Sequence, residues 1–166
     1  FDPSNGAVGC LKSHIKALKI AMEEYKGQNV LICEDDLILS PDYLDYIKRL
    51  NDIINDKQID DANVLLLAHN SDNYSKTHNK EIIKLSNTQT ASSYLANTSY
   101  LYIIYKLFTT ALNIYNDTKK WDDIYCTDQC WKLLQKRDNW YAIKNAIFVQ
   151  GESYSDIEKK VVDYKV

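Results

Sequence analysis

The fold is decided by the stretch VLICEDDLIL at residues 30–39, in which an apolar run is followed at once by three carboxylates. The run at 30–33 is typical of a strand that is covered on both faces of a sheet. The carboxylates of Glu34, Asp35 and Asp36 would repel one another unless a cation lies among them. Ligands of open α/β sheets bind beyond the carboxyl ends of the strands, which is where this cluster falls. The stretch therefore predicts a buried strand that ends in a binding site.

The segments on either side of this stretch show helical periodicity. Before it, residues 8–25 carry apolar side chains at the spacing of one helix face, and Gly27 ends the helix. After it, Pro41 begins a second helix with an apolar stripe of its own. The stripes consist of Leu11, Ile15, Leu18 and Met22 in the first helix and of Leu44, Ile47, Leu50 and Ile54 in the second. Both stripes are interpreted as faces that pack on the core.

The rest of the chain continues this alternation of strands and helices. Further strands are predicted at 64–68, 81–85, 93–96 and 146–149, and further helices at 99–115 and 127–135. The polar residues 69–80 are expected to form an exposed loop. Strands alternating with helices predict an α/β layered fold with a largely parallel sheet. Because no linker or internal repeat separates the segments, residues 1–166 are predicted to form a single domain.

Composition and charge exclude several classes of protein. Hydrophobic residues make up 45% and charged residues 26% of the chain, as in ordinary globular domains. The formal net charge of -3 argues against nucleic acid as a partner, since nucleic-acid binders present a clustered basic face. No apolar run is long enough to cross a bilayer, and no signal peptide opens the chain. We therefore expect neither a nucleic-acid partner nor a transmembrane segment.

The four cysteines favour a reducing compartment. They are Cys10, Cys33, Cys126 and Cys130. Cys126 and Cys130 are spaced to share one helix face, and no second close pair stands near them as it does in most zinc sites. Free buried thiols in an intracellular reducing compartment are therefore preferred to a bound metal or a disulfide.

The acidic triplet has two interpretations when it is taken by itself. Carboxylate oxygens suit hard cations such as Mg2+ or Mn2+, which often take phosphate oxygens as further ligands. Such an ion neutralises the charge that develops on a departing diphosphate. The alternative is a solvated acidic loop that also caps the helix after Pro41. The triplet alone leaves both open.

A wider pattern surrounds the acidic triplet: GCLKSH at 9–14, then a helix, then VLICEDDL at 30–37. In its order and separation this pattern resembles glycosyltransferase family 25, which includes lipooligosaccharide sugar transferases and the collagen hydroxylysine galactosyltransferases. Later parts of the likeness are ASSYL at 91–95, Asp128, Gln150 and SDI at 155–157. Family members normally begin with a strand carrying an Ile-Asn-Leu-like stretch and a nearby Arg. This chain begins at Phe1, after that point, and is interpreted as N-terminally truncated or as a short relative.

The resemblance implies a fold, a reaction and partners. The fold is a GT-A-like Rossmann-type domain that lacks the family's first strand. The reaction transfers a hexose, with inversion, from a nucleotide diphosphate sugar, expected to be UDP-linked, to a hydroxyl of a glycan or protein. Mn2+ or Mg2+ is the expected cofactor. With the first strand missing, one edge of the sheet would lie exposed, so self-association is also expected.

The resemblance also assigns roles to individual carboxylates. Asp36 is the leading metal ligand, with Glu34 as a second ligand or a contact to the ribose. Asp35 binds the donor or holds the turn. Asp128 is the candidate general base, which must lie within hydrogen-bond reach of the acceptor hydroxyl; the alternative is a helix cap.

Five further residues have a functional and an ordinary interpretation. His14, with Ser13, orients the diphosphate or the acidic loop, although a helical His is more often a satisfied core or surface residue. Asp156, with the adjacent Ser155, contacts donor or acceptor, or closes a turn. His69 follows a strand as some metal ligands do, but a plain loop position is preferred.

Two other functions stay open at this stage. A degenerate, non-catalytic glycosyltransferase-like binding module is supported by the missing first strand. A metal-dependent phosphoesterase is less supported, because such sites usually recruit several His and Asp ligands from separate strands and this chain has three histidines.

Overall fold

A computed structural model describes residues 6–41, 43–71, 74–155 and 160–162. The helices are α1 (Gly6–Glu24), α2 (Tyr43–Ile54), α3 (Lys57–Asp60), α4 (Leu101–Thr118), α5 (Thr127–Cys130) and α6 (Lys132–Arg137), with a 3-10 turn at Asp123–Tyr125. The strands are β1 (Val30–Cys33), β2 (Leu37–Leu39), β3 (Val64–Leu66), β4 (Ser75–Lys76), β5 (Ile82–Lys84), β6 (Ser93–Ala96), β7 (Trp140–Ile143), β8 (Phe148–Gln150), β9 (Ser153–Ser155) and β10 (Lys160–Val162). None of the helices within these ranges combines the length and apolarity needed to cross a membrane.

Six strands form the main sheet, in the order β1-β6-β3-β7-β5-β4. The prediction of a mostly parallel sheet is wrong for the described residues: the β3–β7 pair is parallel, and the other four neighbouring pairs are antiparallel. The physical reason is the connection from β3 to β6, which runs through the short strands β4 and β5 and contains no helix. Parallel neighbours are usually joined by a helix that returns the chain to the starting end of the sheet, and here two strands take the place of that helix. The fold is nevertheless a mixed α/β fold, as expected.

Alternation along the strands places apolar side chains on both faces of the sheet. The larger core lies under α1, α4 and α6, and it contains Tyr94, Tyr100, Phe108, Trp131 and Trp140, each at most 3% exposed. We call this side the aromatic face. The opposite side, which we call the α2 face, has a smaller core that includes Ile53 of α2, Leu65 and Tyr141. The sheet is therefore covered on both sides, but unequally.

The prediction that residues 30–33 are covered on both faces is wrong. Ile32 packs into the aromatic face and is 8% exposed, whereas its neighbour Leu31 is 46% exposed. β1 lies at one end of the strand order and pairs with β6 in the described part of the chain. An apolar run predicts a strand but does not distinguish an edge strand from a central one.

The helix after Pro41 exists, but its predicted apolar stripe faces outward. Leu44, Ile47 and Ile54 are exposed, whereas Ile53 is 2% exposed and packs on the α2 face. The side chain of Leu50 lies outside the described part of the structure. The stripe of α1 was predicted correctly, since Leu11 and Leu18 are fully buried.

Two strands next to the site were missed by the sequence analysis. β2 directly follows the acidic triplet and pairs with β8 in a separate two-stranded sheet. β7 lies beside β3 in the centre of the main sheet, and all four of its residues are buried. The predicted helix at 127–135 is divided into α5 and α6 at Trp131. The strand predicted at 146–149 is observed as β8, slightly displaced.

Candidate functional site

The acidic triplet lies where three strands of the main sheet end. β1 and β3 are both antiparallel to β6, and β7 is parallel to β3, so β1, β3 and β7 run in one direction. β6 begins at this same edge, where the backbone N–H of Glu34 donates to the carbonyl of Ser92 at 2.8 Å. The carboxyl ends of three strands therefore meet at one edge, as in the ligand crevices of open α/β sheets.

Glu34 is held by two side chains of α1. Its Oε1 lies 3.1 Å from Nε2 of His14 and 3.7 Å from Sγ of Cys10. Cys10 and His14 are four residues apart, so they lie on the same face of α1. The other ring nitrogen of His14, Nδ1, lies 3.1 Å from the hydroxyl of the fully buried Tyr94. The predicted proximity of His14 to the acidic loop is thus present, with Glu34 as its partner.

Cys10 connects Glu34 with the C-terminal part of the chain. Its sulfur also lies 3.8 Å from the hydroxyl of Thr127, the first residue of α5. Burial, and then the negative charge of Glu34, raise the pKa of the Cys10 thiol to about 12. Without a bound cation, the thiol is therefore neutral at physiological pH. The prediction that the cysteines are buried is correct for Cys130 alone, since Cys10 and Cys126 are partly buried and Cys33 is exposed.

Asp128 lies next to this cluster and holds a turn of the backbone. Its Oδ2 accepts a hydrogen bond from the N–H of Thr90 at 3.2 Å. Thr90 has a positive φ of 78°, a conformation that costs free energy for a β-branched residue. The N-cap of α5 is Cys126, so Asp128 lies inside the first turn of that helix. Asp128 thus stabilises the loop that leads into β6.

The same loop is fixed two residues earlier by buried polar groups. The side chain of Gln135 accepts from the N–H of Thr88 at 2.7 Å and donates to its carbonyl at 2.9 Å. The indole N–H of Trp131 donates to that carbonyl as well. Gln135, Thr88 and Trp131 are all essentially fully buried. The loop at 86–92 is therefore rigidly attached to α6, and it carries Thr90 and Ser92 into the site.

Asp36 is held by a different part of the chain. Its Oδ2 accepts a hydrogen bond from Nε2 of Gln150 at 2.7 Å, and its backbone carbonyl accepts from the N–H of Gly151 at 2.9 Å. A Cβ at Gly151 would lie 3.3 Å from that carbonyl, so the close approach favours glycine there. Asp35, between the two anchored carboxylates, is exposed. The triplet therefore has two fixed ends and an exposed middle residue.

The remaining predicted site residues lie apart from this contact network or outside the described residues. The Ser13 hydroxyl donates to the carbonyl of Gly9 within α1, at 3.0 Å. The ring nitrogens of His69 are bonded to the Ile143 carbonyl and the Ser71 N–H, which agrees with the plain loop position preferred from the sequence. Asp156 lies outside the described residues, as does the side chain of Ser155.

Sequence reasoning missed three residues that shape the site. Thr127 reaches Cys10, Tyr94 supports His14, and Gln135 anchors the loop before β6. Tyr94 falls inside a segment that the sequence analysis had singled out, whereas nothing in the local pattern distinguishes Gln135 from an ordinary helical glutamine. Its role depends on a contact with a residue far away in the chain.

The donor atoms at this edge suit two kinds of cation. The carboxylates of Glu34, Asp35 and Asp36 supply the oxygen ligands that Mg2+ or Mn2+ prefers. Cys10, His14 and Glu34 each offer one ligand atom, and these three atoms lie within 4.8 Å of one another. The site thus has a hard, all-oxygen side and a side with sulfur and nitrogen.

A comparison with protein-family models identifies a family for this chain. A sequence model of glycosyltransferase family 25, described as LPS biosynthesis protein, matches residues 3–119. The matched part exceeds half of the chain and includes α1, β1 and the whole acidic triplet. Asp128 and Gln150 lie beyond it. A comparison with curated proteins finds no match.

Proposed function

Because the chain belongs to glycosyltransferase family 25, we propose that it transfers a hexose from a nucleotide diphosphate sugar, UDP-linked, to a hydroxyl of a glycan or protein. Family membership supports glycosyl transfer and a link to lipopolysaccharide biosynthesis in general terms. The donor, the acceptor, inversion at the sugar carbon and the need for a metal are the parts that we propose. We also propose a GT-A-like fold. It is supported by the common direction of β1, β3 and β7, whose carboxyl ends lie at the same edge of the sheet as the acidic triplet.

The observation that carries the proposal is the convergence of distant segments on the end of β1. Contacts of 3.7 and 3.8 Å link Glu34, which directly follows β1, with Cys10 of α1 and Thr127 of α5. Asp128 is the next residue after Thr127 and therefore lies beside the contacts that include Glu34. The negative charges of Glu34 and Asp128, from opposite halves of the chain, both act on the Cys10 thiol. This proximity supports a donor site and an acceptor base at one place.

The donor diphosphate is proposed to lie against the acidic triplet. Asp36 is the leading ligand for Mn2+ or Mg2+, with Glu34 as a second ligand or a ribose contact and Asp35 beside the donor. When bound, the ion supplies positive charge that stabilises the departing diphosphate. Gln150 and Gly151 hold Asp36 in place before any ligand binds, which reduces the cost of ordering the loop. His14 holds Glu34 in the same way.

Asp128 is proposed as the general base that receives the proton of the acceptor hydroxyl. In-line attack on the sugar carbon then gives inversion. The N–H of Thr90 orients the carboxylate through Oδ2 and leaves Oδ1 for the acceptor. Because the loop that carries Thr90 is attached to α6 through Gln135, the base is held by a rigid support.

A transfer assay tests the donor side of the proposal. The full chain is incubated with a panel of UDP-hexoses, Mn2+ and glycan acceptors, and release of UDP is measured. We expect activity with at least one donor and its loss in Asp36→Asn, and we expect UDP with Mn2+ to raise the melting temperature of the unsubstituted protein but not that of Asp36→Asn. Asp117→Asn, an exposed position on α4, is the matched control. Equal activity and equal melting shifts in Asp36→Asn and the control would refute this donor site.

The base is tested separately by Asp128→Asn. We expect kcat to fall about 10²–10⁴-fold with little change in the donor KM, because loss of a general base affects chemistry and not donor binding. An unchanged kcat would limit Asp128 to its contact with Thr90. Binding of UDP and Mn2+ without turnover of any donor would instead support the degenerate binding module.

A further inference from the structure

A second group of ligand atoms at this edge combines sulfur, nitrogen and oxygen. Sγ of Cys10, Nε2 of His14 and a carboxylate oxygen of Glu34 lie within 4.8 Å of one another, with His14 buried and the other two partly buried. From this cluster we propose that Cys10, His14 and Glu34 form a binding site for a thiophilic divalent cation of the Zn2+ type. The proposed glycosyl transfer does not require such a site.

The two separations measured from Glu34 are close to those around one tetrahedral ion. With Zn–S near 2.3 Å and Zn–N or Zn–O near 2.0–2.2 Å, ligand atoms of a tetrahedral site stand about 3.4–3.6 Å apart. The observed separations from Oε1 of Glu34 are 3.1 Å to His14 Nε2 and 3.7 Å to Cys10 Sγ. These two separations therefore need shifts of only a few tenths of an ångström, and all three ligand atoms lie within 4.8 Å of one another.

The way the chain presents these ligands also matches a metal site. Cys10 and His14 stand at i and i+4 on α1, a spacing that points two side chains at one ion. The second ring nitrogen of His14 faces the hydroxyl of Tyr94 at 3.1 Å, and ligating histidines almost always have such a partner. The Glu34 side chain is 27% exposed, which leaves an entry path and a fourth position for water.

The chemistry of the cluster distinguishes it from the proposed donor site. A thiolate and an imidazole select zinc-like ions, whereas Mg2+ and Mn2+ prefer the oxygen ligands of the acidic triplet. Glu34 is the residue that the two sites share, while Asp36 faces Gln150 and belongs to the donor side alone. A hydrogen-bonded arrangement of Cys10, His14 and Glu34 without metal is the competing explanation, and it predicts no affinity for zinc.

Cobalt provides a direct probe, because Co2+ replaces Zn2+ and gives a charge-transfer band only when a thiolate binds it. The full chain, kept reduced, is titrated with Co2+ and then with Zn2+ in the absence of any nucleotide sugar. We expect one Co2+ per chain, a thiolate band, and displacement by Zn2+. The band should disappear in Cys10→Ser and persist in Cys126→Ser, the matched control with a partly buried thiol outside the cluster.

A second variant keeps the test informative if Cys10→Ser folds poorly. Tyr94→Phe leaves all three ligands in place and removes the partner of His14, so cobalt affinity should fall about 10–100-fold. No thiolate band in the unsubstituted protein, or an undiminished band in Cys10→Ser, would overturn the proposal. Because the assay contains no donor, this failure is separate from failure of the transferase proposal, which Asp36→Asn tests.

Discussion

The two faces of the main sheet differ in how completely helices cover them. On the aromatic face, Trp131 and Trp140 are fully buried and their rings pack against each other with centroids 5.0 Å apart. On the α2 face, α2 contributes Ile53 to the core, while Leu44 and Ile47 of the same helix are exposed. Both α1 and α2 have an apolar stripe in the sequence, yet the stripe of α1 is buried and that of α2 is not.

The unequal cover of the two faces corresponds to a difference in how the two ends of the acidic triplet are supported. Cys10, His14 and Tyr94 belong to elements of the aromatic face, so Glu34 is supported by side chains that have little freedom. Asp36 is supported from the separate β2–β8 pair, through Gln150. A preorganised end and a less enclosed end of one acidic segment suit a site that must position a ligand and also admit it.

The largest effect on stability is expected from truncating the aromatic face. Trp131→Ala removes a fully buried ring that contacts the rings of Tyr94, Phe108 and Trp140. We expect the free energy of unfolding to fall by about 3–5 kcal/mol, measured by chemical denaturation. Trp121→Ala, at a partly buried position of the same core, is the control and should cost less. Equal losses would mean that the buried ring cluster around Trp131 is packed no more tightly than the periphery of the same core.

A smaller effect is expected on the α2 face. Ile53→Ala should lower the free energy of unfolding by about 2–3 kcal/mol, near the low end for buried isoleucine, because the thinner cover allows neighbours to relax. Ile54→Ala, one residue along and 44% exposed, should change it by less than about 0.5 kcal/mol. If Ile54→Ala proved as costly as Ile53→Ala, α2 would pack with a different face than the structure shows.

The smallest effect, and one that depends on pH, is expected at the polar rim of the aromatic face. The hydroxyl of Tyr100 donates to Asp138 and accepts from the indole of Trp140. Tyr100→Phe should cost about 1.5 kcal/mol near neutral pH, since it removes a hydrogen bond to a charged group. Tyr102→Phe, exposed on the same helix, is the control.

The stability is expected to fall at both acid and alkaline pH, through two different groups; we call these falls the acid arm and the alkaline arm. The hydrogen bond from Arg137, with a further one from Tyr100, lowers the pKa of Asp138, so its stabilisation is present above the usual carboxyl range and is lost as pH falls through the lowered value. Burial, and then the bond to Asp138, raise the pKa of Tyr100, so stability falls as pH rises above about 10. Tyr100→Phe should flatten the alkaline arm and weaken the acid one. If stability falls equally at alkaline pH in the unsubstituted protein and in Tyr100→Phe, a group other than Tyr100 causes the fall.

Local patterns predicted most of the elements and some of the site. The 3.6-residue periodicity at 8–25 placed α1 and its buried stripe correctly, and the strand predicted at 93–96 is observed with the same bounds. The family resemblance drew attention to Cys10, His14 and Glu34, and the structure brings these three together. Resemblance to the family is confirmed by a match over residues 3–119. The roles of Asp36 and Asp128 stay predictions.

The sequence by itself determined most of the helices and strands, although β2 and β7 were missed, together with the position of the acidic turn after β1 and the family. The tertiary structure decided that β6 runs between β1 and β3 in the opposite direction, that Leu31 is exposed, and that α2 packs through Ile53. The reason is physical: helix and strand patterns arise from neighbours within a few turns of chain. Strand direction and burial depend instead on which distant surfaces meet, and no local window contains that information.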